Sequence, residues 1–141
     1  MDFIIFDTAT AIGSFAVGIG LGLTYVIIKS SRDTTEASIV ENIFNDLRDS
    51  ERDLYDIPNN DHEKKKDWAS LFFNTLDWLG FQIVHKKIND KKYICYFKDA
   101  VLDWYDDFFQ NTDYIESEQV QDPKEFDHFK ELVKRYKNNI Y

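Results

Sequence analysis

The chain has 141 residues, a formal net charge of −9 and an aromatic content of 16%. That acidity lacks the basic footprint of a nucleic-acid binder, so no nucleic-acid partner is expected, and it argues against a tail lying flat on an anionic membrane. The apolar content is too high for a disordered linker. A single cysteine, Cys95, cannot close an internal disulfide, which fits a reducing compartment.

The first element is Thr8 to Ile28, TATAIGSFAVGIGLGLTYVII, an uncharged run between Asp7 and Lys29. At about 1.5 Å per residue it spans roughly 30 Å as a helix, the thickness of a bilayer's hydrocarbon core. It predicts one transmembrane helix over 8–28. A cleaved secretory signal would need a basic n-region, and MDFIIFD has no Lys or Arg. In a water-soluble helix, Gly13, Gly18, Gly20 and Gly22 would each cost roughly 1 kcal/mol against Ala. Membrane helices tolerate Gly better.

Every Lys and Arg follows Ile28. Positive flanks stay on the cytoplasmic side, so residues 1–7 are expected outside and 29–141 in the cytoplasm of a single-pass cell-membrane protein. Thr10, Ser14, Gly18 and Gly22 fall four apart on one helix face. Small residues let backbones approach, so Ser14, Gly18 and Gly22 form a candidate seam for another membrane helix, from a second copy or a different subunit. The alternative is that Gly is simply common in membrane helices.

In the tail, only Pro58, Gly80 and Pro123 interrupt apolar spacings of three and four, which favours helices over strands. A first helix, about 34–56, is capped by Asp33 with Glu36 and buries Ile39, Val40, Ile43, Phe44, Leu47 and Leu54. A second, about 62–87, starts at Asp61. Its apolar residues, from Trp68 through Leu71, Phe72, Phe73, Leu76, Trp78 and Leu79 to Val84, cover most of the circumference. That predicts a central helix buried on several sides. Gly80 is expected to admit a neighbouring helix. A third, about 90–110, buries Tyr93, Ile94, Phe97, Val101, Trp104 and Phe108, with Asp99, Asp103, Asp106 and Gln110 on its wet face. A fourth, about 123–138, opens at Asp122-Pro123 with Glu125 and buries Phe126, Phe129, Val133, Tyr136 and Ile140. The expected fold is all-α: a transmembrane helix followed by a cytoplasmic antiparallel bundle of three to four helices.

Chemistry-bearing motifs are sparse. His62, His85 and His128 have no second His or Cys at a metal-ligand spacing and read as surface residues, so no metal site is expected. Asp99, Asp103, Asp106 and Asp107 read as a solvated face. No nucleophile elbow or P-loop occurs, and no cofactor or catalytic residue is expected. Asn74 and Asp77 interrupt the second helix's apolar surface. Buried, they would need partners and would specify packing or form a small polar pocket; exposed, they are ordinary. Lys86, Lys87, Lys91 and Lys92 cluster at one turn, whereas Asp99 to Asp122 carries only acids. This polarity could steer a partner.

The stretches Asn74-Thr75-Leu76-Asp77 with Gly80, Ile88-Asn89-Asp90 before Tyr93 and Phe97, Trp104, and Pro123-Lys124-Glu125-Phe126 through Lys134-Arg135-Tyr136 resemble a membrane-anchored family designated domain of unknown function 4760. The resemblance spans roughly 34–137. A basic residue usual after the Trp-bearing helix is replaced here by Asn111-Thr112-Asp113. The resemblance implies a fold and no activity. The expected function is therefore a non-enzymatic, membrane-tethered interaction module, an accessory or scaffolding subunit. The alternative is a small membrane-bound enzyme or ligand sensor with a pocket at Asn74 and Asp77.

Overall fold

The structure, a computed structural model, describes residues 35–141. The described part is all-helical: α1 (Thr35–Tyr55), α2 (His62–Val84), α3 (Lys91–Trp104), a π-helical turn (Tyr105–Phe109), short α4 (Ser117–Gln121) and α5 (Asp127–Lys137). Among the described residues, no helix is long and apolar enough to cross a membrane. The predicted span 8–28, its seam Ser14, Gly18 and Gly22, and the Asp33 cap lie outside them.

Consecutive long helices run antiparallel. Trp68 Nε1 of α2 donates to the Ser50 carbonyl of α1 (2.7 Å). At the other end of this pair, Glu36 Oε1 accepts the backbone N–H groups of Asn89 (2.8 Å) and Asp90 (2.6 Å). α3 returns along α2, with Trp104 edge-on to Phe72. α5 reverses again, and Tyr136 Oη donates to the Ile94 carbonyl (2.7 Å). Burial pushes the Tyr136 hydroxyl's pKa up, so it remains a donor.

Local chemistry explains most boundaries. Asp61 caps α2 by accepting from Lys64 N (3.1 Å), a bond that holds its carboxyl below the usual range. Asp90 caps α3 through Lys92 N (3.0 Å). α1 ends at Tyr55, ahead of Pro58.

Four expectations change. Leu71 and Trp78 are 69% and 53% exposed, so α2 is not buried all round. Neighbours cover its Trp68–Phe72–Leu76–Leu79–Ile83 side and leave the opposite side open. Along α3, Phe109 replaces Phe108 as the fully buried residue. The bond from Gln110 N to Tyr105 O is a five-residue π bond, and the extra residue advances the phase by one. Finally, Pro123 does not open the last helix. Asp122 ends α4 and accepts from Lys124 N (2.9 Å) in a turn. α5 starts only after Phe126, whose left-handed backbone (φ 50°) places its ring among Phe73 and Phe109. Ile140, expected in the seam, is 63% exposed beyond the helix end.

One aromatic core joins the elements. Phe73 touches Phe72, Phe109, Phe126 and Phe129, drawing α2, the π turn and α5 together. α2 meets α5 closely at Gly80. A Cβ there would stand 2.4 Å from the His128 carbonyl oxygen and 2.9 Å from Phe129 N. Only glycine permits that approach.

Candidate functional site

The open side of α2 carries one candidate surface. Leu71, Asn74, Thr75 and Trp78 stand three and four apart and form one wall of a shallow groove of about 510 Å³. The other wall is α1, with Asp46, Asp49, Ser50 and Asp53. Among the described residues, no Lys or Arg lines it. Asp49 also pairs with Arg52 (3.2 Å), an exposed pair of little energetic weight. Trp78 lies flat on Phe81, with centroids 5.2 Å apart and planes 10° apart. An exposed indole held in one orientation loses little entropy when a partner covers it.

The second candidate begins at Phe81 and turns toward α5. Asp77, one turn before Phe81, is half-buried. Its Oδ1 accepts from Phe129 N (2.9 Å) and its Oδ2 lies 3.3 Å from His128 Nδ1. Asp127 Oδ1 is 2.8 Å from the same nitrogen. These ligand-capable atoms lie within 4.8 Å of one another. The other ring nitrogen of His128, Nε2, faces His85 Nε2 at 3.4 Å. Phe81 packs on both imidazoles, tilted on His85 at 4.5 Å and edge-on to His128 at 5.3 Å. The Gly80 crossing places the His128 backbone within reach of Asp77.

Asn74 and Asp77 therefore serve different surroundings. Asn74 is exposed in the groove, whereas Asp77 turns toward His128. His62 stands apart, 3.7 Å from Asp113. Asp99, Asp103, Asp106 and Asp107 are all exposed. Desolvation by neighbouring protein atoms, then repulsion from Asp107, Asp99 and Asp106, raises the Asp103 carboxyl's pKa. Cys95 is exposed.

No protein-family model, curated protein or solved structure matches the chain. The resemblance drawn over 34–137 thus has no family-model match, and no residue role reaches this chain from a relative.

The His85–His128 pair escapes a reading by spacing. Its members come from two helices, 43 residues apart. Ligand spacings such as HxxxH detect only pairs on one helix. The one local signal is Gly80, which marks where α2 admits a neighbour.

Proposed function

We propose that the chain is a membrane-tethered, non-enzymatic helical interaction module, an accessory or scaffolding subunit of a membrane protein complex. The carrying observation is the Leu71–Trp78 face: two large apolar side chains held in solvent beside aspartates of α1. Exposed aromatic anchors of this kind dominate binding once a partner desolvates them. Charge selects the occupant. A basic amphipathic helix from a partner's cytoplasmic segment would lay its apolar side over Trp78 and Leu71 and set its Lys or Arg against Asp46, Asp49 and Asp53.

The tether rests on the uncharged run 8–28. α1 begins shortly after that run, and Glu36 binds the turn between α2 and α3. Lys86, Lys87, Lys91 and Lys92 thus share the end of the bundle at which the tether would enter. An anionic cytoplasmic leaflet attracts such residues. Ser14, Gly18 and Gly22 would add a contact with another membrane helix.

Gentle detergent extraction tests this reading. The expected result is a stoichiometric complex that loses its partner with Leu71→Asp or Trp78→Asp while circular dichroism stays unchanged. A lone monomer, or a complex indifferent to both substitutions, contradicts it.

A further inference from the structure

We propose that His85 and His128 bind one late divalent transition-metal ion, with zinc the best fit, through their facing Nε2 atoms. The argument starts at the opposite nitrogen of His128. Its Nδ1 lies against two carboxylate oxygens, Asp127 Oδ1 at 2.8 Å and Asp77 Oδ2 at 3.3 Å. Ionised carboxylates only accept hydrogen bonds, so Nδ1 carries the proton. In the neutral ring, Nε2 then holds a lone pair, and that lone pair faces His85 Nε2.

The spacing distinguishes two uses of this pair. At 3.4 Å the nitrogens are farther apart than a good N–H donor bond of about 2.7–3.2 Å. Two imidazole nitrogens on a tetrahedral zinc, each about 2.0–2.1 Å from the metal, stand roughly 3.3 Å apart. The observed gap matches the second case. The surroundings match as well. A histidine ligand ordinarily donates its other N–H to a carboxylate, which orients the ring and raises its basicity, and Asp77 occupies that place, with Asp127 close by and accepting from the His128 backbone N–H (2.9 Å). Phe81 packs on both rings and restrains them before any ion arrives. His85 stands at the C-terminal end of α2, where the helix dipole favours positive charge.

The ion would join the end of α2 to the start of α5. His85 is exposed, so solvent completes the coordination. The site is independent of the groove occupant and of the membrane tether, and each can fail without the others.

The test uses the full chain in detergent micelles, stripped with a chelator and carrying Cys95→Ser to remove the thiol. Zinc alone is titrated by calorimetry, and cobalt(II) by visible absorption. We expect one zinc per chain, a tetrahedral cobalt band, and a zinc-dependent rise in Tm. His85→Ala should weaken zinc binding at least tenfold and abolish the Tm shift; this exposed site leaves the fold intact. Asp77→Asn, which keeps an acceptor for Phe129 N, combined with Asp127→Asn should weaken binding about 10- to 100-fold. His62→Ala should change nothing. Absence of zinc binding at millimolar concentration, or binding that survives His85→Ala, overturns the proposal and leaves the pair as a hydrogen bond between two imidazoles.

Discussion

Glu51 shows how strongly a single side chain can depend on its neighbours. It stands on α1, facing α3, with Oε1 accepting from Trp104 Nε1 (3.1 Å). Burial pushes its carboxyl up to about 7, against the lowering effect of the Trp104 bond. The folded carboxyl therefore holds its proton more tightly than the unfolded one, whose ordinary value is 4.5. The stabilisation is fully present below that value and is lost as pH rises through about 7. Glu51→Gln keeps an acceptor for Trp104 and removes the titration. Urea unfolding at pH 5 and pH 8 should show the variant gaining on the wild type by of order 2 kcal/mol at the higher pH. An equal difference at both values would refute this assignment. Gly80 is the second residue with a specific demand. Gly80→Ala gains up to about 1 kcal/mol of helix propensity but drives a methyl into the His128 backbone. A net loss of about 1–3 kcal/mol in chemical denaturation is expected, because backbone cannot step aside as a flexible side chain does.

At the scale of elements, Glu36 makes the most consequential cap. The pattern Asp33–Glu36 suggested a local role at the start of α1, yet Glu36 reaches across to Asn89 and Asp90. Glu36→Ala leaves two N–H groups without their carboxylate and should cost about 1–3 kcal/mol, measured by thermal and urea unfolding. A change below a few tenths would show that solvent replaces the carboxylate. The existence of the four long helices was legible because apolar periodicity and the caps Asp61 and Asp90 are local signals. Two departures were not local. The π turn at Tyr105–Phe109 leaves no composition signature, and it buries Phe109 fully while Phe108 stays half-buried against Trp68 and Phe72. The Asp122-Pro123-Glu125 pattern is a sound helix start, but burying Phe126 against Phe73 and Phe109 requires a left-handed residue that delays α5. Tertiary packing decided both.

Across the whole molecule, the hub is Phe73, fully buried where α2, the π turn and α5 converge. Phe73→Ala should cost about 3–5 kcal/mol, seen as a lower urea midpoint at an unchanged slope. Trp78→Ala, though it removes a larger ring, should stay within about 0.5 kcal/mol, because Trp78 is 53% exposed. That contrast separates residues that hold the bundle from those left for a partner. The sequence placed Leu71 and Trp78 on an apolar helix but could not show that no neighbour covers them. Exposure depends on where α1, α3 and α5 settle. The candidate sites divide in the same way: Asn74 and Asp77 were visible as polar exceptions, whereas the pairing of His85 with His128 exists only after α2 and α5 cross.

The most direct measurement is a photocrosslinking scan of the full chain in its native membrane. A photoreactive residue is placed in turn at Leu71 and Trp78 and, as controls, at exposed Glu125 and Lys134. Crosslinks to one and the same membrane protein, through a basic amphipathic segment, are expected at 71 and 78 and not at the controls. Equal labelling at all four positions, or none at 71 and 78, would contradict docking through this face.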